Sequence, residues 1–210
     1  MFTAPASRKA FFHQLDEAHQ EVRALANPIH RRILTCSLLD VLSKAAFPKL
    51  RKNRTRLVRL IDDFSGWEAT ARYGIWQLQE CLGDLQPITN PRLVALKDHV
   101  ASRLKAWPDA PVFLTASRVD PTRQDLLHFL DADLEKKIEP VRYPHLFYTM
   151  RNFAVHVMGH PGDALDFELG IPEPYYHSIV THPEMTRTWA LYFPVELISE
   201  RDITESCGLE

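Results

Sequence analysis

From Arg8 to Gly159 the chain repeats one pattern, apolar residues at three- and four-residue spacing in segments cut by proline or glycine. That period is helical, and a series of short amphipathic segments buries its apolar stripes by packing helix on helix. The first segment, Arg8–Ala26, carries Phe11, Phe12, Leu15, Ala18, Val22 and Leu25. Asn27-Pro28 interrupts it, because a residue before proline avoids the helical region. Ile29–Phe47 resumes with Ile33, Leu34, Cys36, Leu38, Leu39, Val41 and Leu42, a density that predicts a central, buried helix ended by Pro48. Leu57, Leu60, Ile61 and Phe64 mark a third helix, closed by Gly66. Trp67–Leu82 predicts one further helix, with Gly83 as its terminator. Asn90-Pro91, a cap followed by a first-turn proline, opens Arg92–Trp107. Trp107–Val119, with Pro108 and Pro111, reads as a loop. Asp120-Pro121 repeats the start signal for a helix to about Lys137, and Pro140–Gly159 is the last helical segment.

After Gly159 the texture changes. Pro161, Gly162, Gly170, Pro172, Pro174 and Pro183 punctuate short aromatic and β-branched stretches, Tyr175–Val180 and Trp189–Val195. These read as strands. The expected fold is therefore mainly α, a helical bundle over residues 1–160, with a small β hairpin appendage over 161–210 packed on the same domain.

Composition narrows the class. A net charge of −2 argues against a protein that coats nucleic acid through a large basic surface, yet suits an enzyme with a small local phosphate site. The three cysteines, Cys36, Cys81 and Cys207, are widely spaced and form no C-x-x-C pair. That is reduced-compartment usage, and it predicts neither a disulfide framework nor a zinc knuckle. Neither a signal peptide nor a membrane-spanning apolar stretch is legible, so the expected location is the cytoplasm.

Chemistry concentrates in Tyr148-Thr149-Met150-Arg151-Asn152-Phe153-Ala154-Val155-His156. Asn152 and His156 are four apart and thus neighbours on a helix, with Arg151 long enough to reach round. A guanidinium, an amide and an imidazole would project together from one helix end. RNA carries its own nucleophile, the 2′-hydroxyl. Cleaving it requires a group that moves a proton, which histidine does near neutrality, and a cation for the crowded phosphorane, which arginine supplies bidentately. Neither a metal nor another cofactor is needed for that chemistry. By spacing alone, the same residues also read as ordinary helix-surface and core positions.

The run resembles the R-x(4–6)-H motif of the HEPN superfamily, in the form where a polar residue follows the arginine. Arg151 matches the arginine, Asn152 the polar residue and His156 the histidine. The downstream order is similar to that of a bacterial HEPN group of uncharacterised or plasmid-borne proteins: Pro161-Gly162, then Pro174-Tyr175-Tyr176-His177, then Leu191-Tyr192-Phe193-Pro194. Upstream, Leu38-Leu39-Asp40 and Ile61–Trp67 look similar too. The resemblance implies a helical bundle that forms a homodimer, with two motifs facing each other across one composite cleft. It implies metal-independent endoribonuclease activity with Arg151, His156 and Asn152 as catalytic residues, RNA as partner, and a toxin or defence role with an antitoxin or regulatory partner. It equally covers members that have lost activity and only bind RNA or a protein.

Other chemistries fit the residues less well. His156 and His160 have the spacing of two zinc-binding histidines on a helix, with Asp163, Asp166, His177 and His182 beyond, but position 157 is valine and the glutamate base of H-E-x-x-H is missing. The basic cluster Lys49–Arg59 could contact an RNA backbone, but it lacks interleaved aromatics and reads first as a solvated helix face. Tyr175-Tyr176-His177 could line the cleft, but reads first as a half-buried strand with aromatic packing. No G-x-S-x-G, P-loop or G-x-G-x-x-G is present. In the non-enzyme reading, Arg151 and His156 only hold an interface together.

Overall fold

The computed structural model describes residues 5–85, 90–105, 107, 113–157, 173–181 and 186–194. It is mainly helical, with one small three-stranded antiparallel sheet. The chain divides into two compact units, each discontinuous in sequence: Met1–Gly66 with Met150–Leu169 and Val195–Glu210, and Trp67–Thr149 with Gly170–Pro194.

The first unit holds α1 (Pro5–Arg23), α2 (Pro28–Ala46), α3 (Asn53–Phe64) and the end of α9 (Tyr143–Val157). Asn27 starts α2 as its sequence predicts: the side chain accepts from the Ile29 and His30 amides at 2.9 and 3.2 Å, and Pro28 fills a first-turn position. Cys36, Leu39 and Leu42 of α2 and Leu57, Val58, Leu60 and Ile61 of α3 are buried. Gly66 follows α3 at φ 56°, a left-handed turn that glycine makes without steric penalty.

The second unit differs from the sequence reading in three places. The helix expected over Trp67–Leu82 is a 3₁₀ turn, Glu68–Ala71, then an extended pair, then α4 (Ile75–Gly83). Arg72 and Tyr73 leave the helix because they bridge Thr122 and Arg142. The Trp107–Val119 loop contains β1 (Phe113–Thr115) and α6 (Ala116–Val119). The single helix expected after Asp120 is instead α7 (Arg123–Leu126), a 3₁₀ turn and α8 (Ala132–Ile138). Asp120 does not cap it: Thr122 caps α7 through a box with Asp125, and Asp131 caps α8. α5 (Pro91–Lys105) forms where Asn90-Pro91 predicts it, with the Asn90 side chain accepting from the Arg92 amide at 2.9 Å.

The hairpin is β2 (Tyr175–Thr181) against β3 (Thr186–Tyr192), in register from Tyr175↔Tyr192 to Thr181↔Thr186. β1 adds a third strand by pairing Phe113 with His177 and Thr115 with Tyr175. A three-residue strand next to masking prolines has too little periodicity to be read from sequence. At the centre of this unit lies Asp120, 1% exposed. It accepts from the Ile75 amide at 2.8 Å and from the hydroxyls of Tyr143 and Tyr176 at 2.5 and 2.7 Å. Trp67 stacks on Tyr143, and Phe193 meets both edge-on.

Candidate functional site

Helix α2 supplies one wall of the site. Arg32, Cys36 and Asp40 recur at four-residue spacing and so share one face of it. The end of α9 supplies Arg151, Asn152 and His156 in the same unit.

Arg151 is 6% exposed, and its Nη2 forms an ion pair with Asp40 Oδ2. Its Nη1 donates to Asn152 Oδ1 at 2.8 Å and lies 3.5 Å from His156 Nε2. The predicted trio is therefore brought together, with the Asn152 side-chain oxygen held on the guanidinium. His156 itself is exposed. Arginine only donates, so a bond to His156 Nε2 exists when that nitrogen carries a lone pair, as in the neutral Nδ1–H tautomer. A nitrogen in that state can accept a proton.

Burial pulls the Arg151 guanidinium below its ordinary range, and the Cys36 thiol opposes the shift. It remains a cation nonetheless, as arginine does in proteins. Cys36 is fully buried, and its thiol is pushed up to about 12 by burial, against the pull of Arg32 and Arg151. It is a neutral small side chain under the guanidinium, unsuited to nucleophilic work.

Sequence reasoning did not assign Asp40 a role in the site. The signal was present: a carboxylate within Leu38-Leu39-Asp40-Val41-Leu42 needs a partner, because a charge in an apolar run is costly unless paired. Its other oxygen, Oδ1, is buried without a hydrogen-bond partner among the described residues.

Tyr175 and Tyr176 belong to the second unit, 3% and 0% exposed, with Tyr176 committed to Asp120. Both are buried within that unit, where the plainer reading expected a half-buried strand, and His177 beside them is half-buried. His160, Asp163, Asp166 and His182 lie outside the described residues. Among the described residues no group of three or more His, Cys, Asp or Glu is arranged to hold a metal, and no helix is long and apolar enough to cross a membrane.

No family model, curated protein or solved structure matches this chain.

Proposed function

We propose that this chain is a metal-independent endoribonuclease of HEPN-like type. The observation that carries it is the line of contacts from Asp40 through Arg151 to Asn152 and His156, a held guanidinium beside an exposed imidazole. In the proposed reaction the 2′-hydroxyl oxygen attacks the adjacent phosphorus and the P–O5′ bond breaks. His156 moves a proton, either from the 2′-hydroxyl or to the leaving oxygen. Arg151 stabilises the charge on the phosphorane. The products are a 2′,3′-cyclic phosphate and a 5′-hydroxyl.

A homodimer is part of the proposal. Leu34 and Val41 on α2 and Phe153 on α9 are 43, 47 and 38% exposed, apolar area in the same unit that a second copy would cover. A toxin or defence role, with an antitoxin or regulatory partner, rests on the motif resemblance alone.

One observation favours a second reading, an inactive HEPN-like module that binds RNA or a protein. Arg151 is buried and already ion-paired, as a purely structural arginine would be. End-group analysis of cleaved RNA tests the enzymatic reading. Cyclic phosphate and 5′-hydroxyl ends are expected, and 5′-phosphate ends would overturn the mechanism.

A further inference from the structure

The segment Lys49–Arg59 holds six Lys and Arg and no acid, in a chain whose net charge is −2, which leaves −8 on all other residues. It forms the α2–α3 loop and the first two turns of α3, in the same unit as Arg151 and His156. The six cations are not equivalent. Arg56 turns back on the loop, donating to the Leu50 carbonyl at 2.9 Å and to the Asn53 side chain. Arg59 pairs with Asp63 at 3.1 Å and lies over the Phe47 ring, 5.0 Å from its centroid. Lys49, Arg51 and Lys52 are exposed, and none has an ion-pair or hydrogen-bond partner among the described residues. Two cations thus hold the loop, Arg54 is half-buried and engaged, and three face solvent.

We infer that Lys49, Arg51 and Lys52 grip the phosphates of the RNA strand flanking the bond to be cut. The inference takes its ligand from the endoribonuclease reading. Charge complementarity supports it, since an isolated basic patch on an otherwise acidic protein steers a polyanion to one place. An anionic membrane is the poorer occupant. Apolar side chains beside the cations strengthen membrane-surface binding, and Leu57, Val58, Leu60 and Ile61 of α3 are all buried. Reach is adequate. From Asp40 to Ala46 the helix advances about 9 Å, and the six residues to Lys52 add at most about 20 Å. At the roughly 3.4 Å per nucleotide of a stacked strand, the whole patch lies within about nine nucleotides of the Arg151 site. Substrates therefore extend several nucleotides past the cut.

The test measures binding of a labelled 2′-O-methyl RNA of roughly 12 nucleotides, which has no attacking hydroxyl, across a salt series. The proteins are wild type, Lys49→Gln/Arg51→Gln/Lys52→Gln, and a control that removes three exposed charges from the second unit, Lys105→Gln/Arg118→Gln/Lys136→Gln. At about 0.7 per phosphate contact, the patch variant is expected to lose about 2 from the log–log salt slope and roughly 100-fold in affinity at about 0.1 M salt. The control should behave as wild type. Equal binding by patch variant and control overturns the inference. So does wild type that ignores RNA but binds phosphatidylserine vesicles through the same three residues. If the patch effect appears and cleavable RNA survives, the patch stands and the endoribonuclease reading falls.

Discussion

Replacing Asp120 with alanine removes the one acceptor that three buried donors share: the Ile75 amide and the Tyr143 and Tyr176 hydroxyls. All three of those residues are 0% exposed, so water cannot take the place of the carboxylate. At about 1–3 kcal/mol for each unsatisfied donor, partly relieved by relaxation, the cost should be about 3–5 kcal/mol near pH 5. Asparagine keeps an acceptor for two donors, and the remaining tyrosine hydroxyl can turn to accept from its amide. Its cost near pH 5 should be about 1 kcal/mol. Asp120 also has a pH signature. Burial pushes its carboxyl up to about 7, against the lowering by the three hydrogen bonds. The folded state therefore binds the proton more tightly than the unfolded chain. Such a group destabilises the fold as pH rises from about 4 to about 7, by about 4 kcal/mol in full and about 2–3 kcal/mol between about pH 5 and pH 8. Urea titrations followed by tryptophan fluorescence suit this test, because Trp67, Trp76, Trp107 and Trp189 all belong to the unit that contains Asp120. Wild type should lose that stability with rising pH while Asp120→Asn does not. Parallel pH profiles for the two, or an alanine cost under about 1 kcal/mol, would refute the reasoning.

Three further outcomes follow from the packing. Asp40→Ala leaves the buried Arg151 cation without its carboxylate. It should cost about 2–4 kcal/mol, the lower end reflecting Asp40's 25% side-chain exposure, with thermal unfolding as the readout. Gly74→Ala places a methyl 2.6 Å from Gln77 Oε1, 2.9 Å from Leu146 Cδ1 and 3.1 Å from Leu191 Cδ2. Overpacking there should cost about 1–3 kcal/mol by chemical denaturation. In a Cys207→Ser background, a disulfide reagent should modify the half-exposed Cys81 well before the buried Cys36 in the native protein. Equal rates would contradict the burial of Cys36.

The first unit was the more legible in the sequence. Asn27-Pro28, Pro48 and Gly66 bound its helices through local chemistry, caps and a positive φ, which a linear reading can see. In the second unit, tertiary contacts override the local pattern. Arg72 and Tyr73 are drawn out of a helical stretch by bridges to residues far along the chain, and Asp120 abandons a capping role for three buried donors. The site divides in the same way. Arg151, Asn152 and His156 lie on one helix, so their proximity follows from spacing. Asp40 comes from another helix, and only its placement in an apolar run hinted that it needed a partner.

The central claim is tested most directly by incubating purified protein with total cellular RNA in excess chelator, beside His156→Ala and Arg151→Ala. His156 is exposed in the single chain, so its replacement should leave the fold of the protomer unchanged. The account predicts that wild type cuts and that both variants, checked for fold and oligomeric state, do not. Cleavage by a folded His156→Ala protein at the wild-type rate would contradict it.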